Sequence, residues 1–326
     1  MSNPPTVSVV IVSFNTREIL RQCLQRLYEE TGAVTFETIV VDNASRDASA
    51  DMVAQDFPQV RLIRSDTNLG FAAANNLAFR EVTGEYVLLL NPDAMLERGS
   101  LQSSLLHMSE SPKLGMGGGC LLGREGEKQP SARMFPSLLN EFLVLSGLAA
   151  KFPDSRFFGR FDRTWDRGTQ PVKVDWVPGA YAFIRRRALE EVGYFDERFF
   201  LYYEEVDLCR RFRDAGWEIW YWPDVVVRHT GGESSKTVKN VEFSSSGSQL
   251  TLWRMRSELL YYRKHHGLVI AKAASLLEQT WHRVRAWRAE RRGNENKARD
   301  SRRIVELQDR AWQETTGGLV SPPRPW

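Results

Sequence analysis

Two adjacent glutamates, Glu204 and Glu205, stand behind the run Phe199-Phe200-Leu201-Tyr202-Tyr203 and open a stretch that continues Val206-Asp207-Leu208-Cys209-Arg210-Arg211. Acidic residues at a helix start are favoured by its dipole, and Asp207 is spaced to pair with Arg211 at i,i+4. That explains Asp207, but not two carboxylates beside so many aromatic groups. Such neighbours strip water from a carboxylate, raise its pKa and suit it to take a proton as a general base. A further acid, Asp93, follows Leu88-Leu89-Leu90 in an Asn91-Pro92-Asp93 turn. The turn alone is ordinary chemistry for these residues. A carboxylate at the end of a buried strand is also well placed to hold Mg²⁺ or Mn²⁺, which take hard oxygen ligands from one or two carboxylates and a substrate's phosphates. Asp42, at the tip of another apolar run, reads either as a turn or cap residue or as the acceptor for the imide N–H of a pyrimidine base. His229 closes a β-branched run just before a glycine pair, and as a lone histidine it is either a packed residue or a ligand.

These side chains need elements to position them. Residues 7–12 form an apolar run broken only by Ser8, as in a strand buried on both faces, and 17–30 place Ile19, Leu20, Leu24 and Leu27 at helical spacing. Residues 38–41, 60–63 and 86–90 read as further strands, with helical stretches from Ser45 and over 70–82 between them. Strands alternating with helices specify a mostly parallel sheet covered on both faces, with a nucleotide crevice beyond the strands' carboxyl ends. Ser13-Phe14-Asn15, Asp42-Asn43 and Asn91-Pro92-Asp93 all fall at such ends. No GxGxxG joins the first strand to its helix and no GxxxxGK[ST] occurs, which disfavours a dinucleotide site and removes the P-loop NTPases. Further on, 174–184 reads as one strand, 204–215 as a helix and 218–222 as a strand, while 138–150 is an apolar stretch too short to cross a bilayer. The glycine-rich 115–119 reads as a flexible or closely packed turn, and the loops 115–130 and 232–248 are expected to exclude water from the crevice.

Composition sets the outer limits. With 42% hydrophobic and 26% charged residues, the 326-residue chain can bury a real core, so disorder and coiled coil fail as whole-chain descriptions. Cys23, Cys120 and Cys209 lie far apart, which argues against a disulfide framework or zinc cluster and fits a reducing compartment. The N-terminus lacks a basic leader region and no apolar run reaches membrane-spanning length, so a cytoplasmic protein is expected. The net charge of +3 conceals an asymmetry: residues 251–326 carry 16 Lys and Arg against 8 Asp and Glu, a net of +8, leaving 1–250 at −5. Two units are therefore expected, a catalytic domain over 1–250 and a basic amphipathic helical extension over 251–326.

In order along the chain, VSVVIVSFNT (7–16), VVDNAS (40–45), NLGFAAANN (68–76), LLLNPDA (88–94), WVPGA (176–180), FDERFFLYYEEVDLCRR (195–211) and VRHTGGES (227–234) resemble the family 2 glycosyltransferases, especially their rhamnosyltransferase-like branch. The match covers about the first 235 residues, and the conjunction is far more specific than any one piece. The resemblance implies a GT-A fold and an inverting, metal-assisted transfer of a sugar, L-rhamnose by preference, from a dTDP- or UDP-linked donor. It puts Asp42 on the donor's base with Ser13, Phe14 and Asn15 about it, and assigns Asn68, Gly70, Asn91, Gly179 and Ala180 to the donor site. Asp93 matches the second acid of the family's Asp-x-Asp metal motif, whose first position here is Asn91. His229 matches a histidine that completes the coordination of Mg²⁺ or Mn²⁺ in some members. The family's Glu-Asp pair is Glu204-Glu205 here, so Glu205 falls on the base position with Glu204 as the alternative.

In the extension, Leu276, Leu277, Trp281, Val284 and Trp287 recur at spacings of three and four, with Arg283, Arg285, Arg288, Arg291 and Arg292 at other positions. Such a helix either lies in an anionic membrane interface or packs on the catalytic domain with its arginines solvated. No nucleic-acid motif accompanies it. The interface reading implies a saccharide or polyprenyl-linked acceptor and a peripheral place at the inner face of the plasma membrane, in envelope polysaccharide synthesis. A nucleotidyltransferase would want a Gly-rich basic loop where Ser13–Thr16 stands. A catalytically inactive GT-A binding or scaffold module is the alternative from a different class.

Overall fold

The computed structural model describes residues 5–30, 32–230 and 246–322, with the side chains of 246–249 outside the description. The first half alternates as its hydrophobic periods dictate: β1 (Val7–Ser13), α1 (Arg17–Glu30), β2 (Phe36–Asp42), α2 (Ser49–Asp56), β3 (Arg61–Arg64), α3 (Phe71–Phe79) and β4 (Tyr86–Leu90). Then come β5 (Ala94–Leu96), α4 (Ser100–Glu110), β6 (Leu114–Leu122), α5 (Leu138–Leu145), α6 (Leu148–Lys151) and β7 (Val172–Lys173). The chain continues through β8 (Tyr181–Arg185), α7 (Arg186–Val192), α8 (Glu204–Asp214) and β9 (Glu218–His229), and closes with α9 (Ser246–Arg291) and α10 (Glu295–Glu314).

One sheet of nine described strands runs in the order β3-β2-β1-β4-β8-β6-β9-β5, with β7 also on β9. The pairings β1–β2, β1–β4, β2–β3 and β6–β9 are parallel, and β8 is antiparallel to both β4 and β6. Most strands therefore point one way, and β8, β5 and β7 run against them. Alternation along the strands builds a core on each face. Val9, Ile11, Val40 and Leu88 pack with Leu20 and Leu24 of α1 and Met52 of α2. Val10, Ile39, Val41 and Leu89 pack with Phe79 of α3 and Leu208 and Phe212 of α8. That second core also takes in Leu260, Tyr261, Tyr262, Ala271 and Ala274 of α9.

Three expectations are corrected. The 115–119 glycines form no turn but the buried middle of β6. They are glycines because rings and backbone occupy the space a side chain would need: a Cβ on Gly117 would lie 1.9 Å from the Trp222 ring. Residues 174–184 are not one strand, since β8 begins only at Tyr181 and Trp176 makes an isolated bridge to Arg133. The strand foreseen at 218–222 runs on to His229 through Pro223, which lacks an N–H, and the pairing with β6 shifts register there between Gly119 and Cys120. Most of the loop 232–248 lies outside the described residues.

Candidate active site

Parallel register brings the first polar groups together. Ser13 pairs with Asp42 at the carboxyl ends of β1 and β2, and β4 ends beside them, leading into Asn91-Pro92-Asp93. Asp42 is buried; its Oδ2 accepts from Ser45 N–H at 3.1 Å, whereas its Oδ1 is buried with no protein partner. A buried acceptor without a donor costs free energy, so this one suits a ligand N–H such as a base imide. Several neighbours foreseen as donor contacts brace the crevice from within. Ser13 Oγ is hydrogen-bonded to Thr16 Oγ1 at 2.8 Å, and Asn15 Oδ1 accepts from Arg46 N–H at 2.7 Å. Phe14 lies between them on the same loop. Asn68 Oδ1 accepts from Gly70 N–H at 2.9 Å and from Asn43 Nδ2 at 3.0 Å. Asn43, read in the sequence only as a polar residue at a strand end, uses its two amide ends to tie the β2 turn to the 68–70 loop, its Oδ1 accepting Leu69 N–H at 2.8 Å. Its adjacency to Asp42 was the available signal.

Asp93 and His229 are brought together by a ladder. Ala94 pairs with His229 in the antiparallel β5–β9 contact, and His229 Nε2 lies 3.4 Å from Asp93 Oδ1. Beneath the turn, Cys23 Sγ donates to the Ala94 carbonyl at 3.3 Å, and burial pushes that thiol far above its ordinary pKa. Gln129, which the sequence did not flag, fixes the imidazole. Its Nε2 donates to the His229 carbonyl at 2.9 Å, so its Oε1 is the atom 2.8 Å from His229 Nδ1. Nδ1 is then the donor to that oxygen, and Nε2 faces the Asp93 carboxylate, paired with it when the ring is protonated and turning a lone pair toward it when neutral. In the neutral form an imidazole nitrogen and a carboxylate at that distance suit a divalent cation. Among the described residues, no group of three or more His, Cys, Asp and Glu side chains gathers into a closed metal cage.

Glu204 and Glu205 open α8, where the helix dipole and free backbone N–H groups favour acids. Each has a buried Oε2 with no protein partner. Burial pushes both carboxyls up, Glu204 the more so because Glu205 adds its own charge; backbone N–H groups, Gly179's among them, and the Arg133 guanidinium partly oppose the rise at Glu205. Glu205 also faces the crevice side: a Cβ on Gly179 would stand 4.0 Å from Glu205 Cβ and 3.5 Å from the Phe71 ring. Next in sequence, the Ala180 carbonyl accepts Asn91 N–H at 3.0 Å, which links the Gly179–Glu205 contact to the turn that carries Asp93.

The approach to α8 is strained. Tyr202 and Tyr203 have φ of 69° and 67°, a left-handed pair costing about 1–3 kcal/mol each. Packing from two sides compensates. Phe71 N–H donates to the Phe200 carbonyl at 2.7 Å, and Ser257 Oγ of α9 donates to the Leu201 carbonyl at 2.8 Å. Trp253 stacks on Phe200 with centroids 4.4 Å apart. Asp207, fully buried one turn into the helix, takes Arg211 at 2.9 Å as its spacing foretold, and also Lys264 and His265 of α9 at 2.7 Å each.

A parallel-sheet edge with a buried acid whose Oδ1 has no protein partner, an Asp–His pair at a strand crossing and a desolvated glutamate pair fits the layout of a GT-A glycosyltransferase. Residues 8–193 match Glycosyl transferase family 2, and the chain belongs to that family. Within it the chain is of the rhamnosyltransferase-like kind. It is 31% identical over 240 residues to an N-acetylglucosaminyl-diphospho-decaprenol L-rhamnosyltransferase of Mycobacterium tuberculosis, covering 70% of this chain and 76% of that one. It is 24% identical to the rhamnosyltransferase WbbL of Escherichia coli, over 78% of this chain and 92% of that one. Among solved structures, the mannosyltransferase PcManGT from Pyrobaculum calidifontis, in complex with GDP-Man and Mn²⁺, aligns at 17% identity and TM-score 0.50, covering 97% of this chain and 76% of that one. TarS 1-349 of S. aureus aligns at 14% identity and TM-score 0.50, over 94% and 91%. At such identities these structures establish the shared fold alone.

Proposed function

We propose that this glycosyltransferase carries out inverting transfer of a sugar, L-rhamnose by preference, from a dTDP- or UDP-linked donor to a saccharide or polyprenyl-linked acceptor. The observation that carries the reading is the gathering at the strands' carboxyl ends of an unpartnered Asp42 Oδ1, an Asp93–His229 pair 3.4 Å apart, and Glu205 against Gly179. Asp42 would accept the base imide, and the small Gly179 and Ala180 leave room for the donor sugar. Glu205 would take the proton from the acceptor hydroxyl as that oxygen attacks the anomeric carbon opposite the departing diphosphate, a single displacement needing one base. Glu204, more deeply buried, would stay protonated beside it. Asp93 and His229 would hold Mg²⁺ or Mn²⁺, with the donor's diphosphate and water completing the shell, and the cation when bound offsets charge on the leaving group. The diphospho-decaprenol named for the mycobacterial relative supports the lipid-linked acceptor.

The same reading divides the chain into a catalytic unit over 1–250 and a helical extension over 251–326, working in the cytoplasm at the inner face of the plasma membrane. Incubation with UDP- and dTDP-sugars and Mn²⁺ tests it: release of nucleotide diphosphate from a specific donor is expected. A chain that releases none with any donor is a binding module, and the proposal fails.

A further inference from the structure

Of the large apolar side chains that are exposed among the described residues, ten of thirteen fall on two stretches that pack together. Leu139, Phe142 and Val144 lie on α5, and Phe152 and Phe157 on the loop that follows α6; Leu268, Val269, Leu276, Val284 and Trp287 lie on α9. The two elements meet across α5, where Leu138 packs against the core shared with Ala271 and Ala274, and Tyr262 Oη is 3.5 Å from Glu141. The apolar row foreseen along α9 is thus not its packing face. Beyond Gly267 that helix buries its small and polar side, Ala271, Ala274, Ser275, Glu278, Ala286 and Ala289, leaves Leu277 and Trp281 half-buried, and turns Leu276, Val284 and Trp287 outward. Gly267, with φ 81° and ψ 177°, breaks the helix where Leu268 and Val269 emerge, Val269 at 78% exposure. An amphipathic helix inverted in this way leaves an apolar surface in water, which marks a contact site.

Charge identifies the occupant. Residues 268–292 carry six Lys and Arg against two Glu, of which Glu278 is buried. Cations also stand on the exposed rings: Arg291 lies 4.1 Å from the Trp287 centroid and Lys151 5.4 Å from that of Phe152. Aromatic groups with cations at their faces suit the headgroup level of an anionic bilayer, where ring and charge are both accommodated. Among the described residues no helix is long and apolar enough to cross a membrane, so contact from one side is the geometry available.

We propose that α5, α6 and the kinked α9 form one docking face for an anionic lipid surface, with Phe142, Phe157, Val269 and Trp287 entering the interface and Lys272, Arg285 and Arg288 at the headgroups. It rests on the proposed lipid-linked acceptor for its purpose, since a soluble acceptor would require no docking. Co-sedimentation with vesicles of phosphatidylglycerol and phosphatidylcholine, against phosphatidylcholine alone, reads it directly. Binding about tenfold or more tighter to the anionic vesicles is expected. Phe142→Ser, Phe157→Ser and Val269→Ser should each weaken partitioning roughly tenfold, and Arg285→Glu with Arg288→Glu should abolish the preference for anionic lipid. Nucleotide diphosphate release in detergent-free solution should stay at the wild-type rate in all of them, which shows that they fold and separates failure here from failure of the proposed transfer. Equal binding to both vesicle types, or apolar variants that sediment like wild type, would overturn the proposal. So would a dimer in light scattering that the same substitutions dissolve, because a second copy would then be the occupant.

Discussion

Gly70→Ala probes the joint between the donor loop and the segment that aims Glu205. Gly70 has φ 83° and ψ 176°, a region occupied almost solely by glycine, and its added Cβ would lie 2.4 Å from the Phe200 carbonyl oxygen and 2.6 Å from the Phe200 ring. The backbone penalty is about 1–3 kcal/mol. Relieving the clash moves a carbonyl that holds Phe71 N–H at 2.7 Å, so that bond, worth about 0.5–1.5 kcal/mol net, is lost as well. Overpacking against the ring adds about 1–3 kcal/mol. Together these come to about 2.5–7.5 kcal/mol, a large share of the roughly 5–15 kcal/mol that holds a domain folded. At about 2–4 °C per kcal/mol, the melting temperature should fall by about 5 °C at the least. Gly216→Ala supplies the control for a positive φ, 89°, with nothing within 4 Å of the new methyl. Calorimetric melts of both variants give the answer. If Gly70→Ala melts no lower than Gly216→Ala, the close approach to Phe200 is not real and the coupling between the two loops falls with it.

Glu205→Gln should lower transfer by about 10²–10⁴-fold while leaving donor binding intact, and a variant with near-normal turnover beside a dead Glu204→Gln would move the base to Glu204. Because burial raises the Glu205 carboxyl, the transfer rate should climb with pH through a midpoint above the ordinary carboxylate range; a flat profile there counts against a desolvated base. Glu204 is raised as well, so the folded chain keeps a proton that the unfolded chain has already lost. The stability this gives is complete below the ordinary carboxylate pKa and is lost as pH rises through the folded one. Glu204→Gln should therefore gain melting temperature relative to wild type as the pH is raised above the ordinary carboxylate range, and an unchanged difference would refute the buried ionisation. Gln129→Leu removes the hold on His229 and should weaken Mn²⁺-dependent donor binding by about 10- to 100-fold without moving the metal-free affinity.

Much of this was legible in residue order. The alternation of period-two and helical runs over the first 90 residues specified the parallel sheet, and polar residues at strand ends marked the edge where the candidate site gathers. The Asn-Pro-Asp turn and the glutamate pair were visible because each breaks an apolar run. What escaped depends on partners remote in sequence. The 115–119 glycines look like a turn until Trp222 and Val177 fill the space above them, and only the fold brings those side chains there. Gln129 is one glutamine among polar neighbours, and nothing local announces that β9 will deliver His229 to its amide. The apolar row of α9 gave the helix but not the sign of its packing, because Ala and Ser at the buried positions let the helix approach closely without large hydrophobes.

The central claim is that Asp93, His229 and Glu205 serve a single donor. Calorimetric titration of dTDP-rhamnose and UDP-sugars, with and without Mn²⁺, into wild type, Asp93→Ala and Glu205→Gln addresses it most directly. One donor should bind wild type and Glu205→Gln more tightly when Mn²⁺ is present, and Asp93→Ala should lose that increment. Affinity in wild type that is indifferent to Mn²⁺, or an Asp93→Ala variant that still responds to it, would contradict the account.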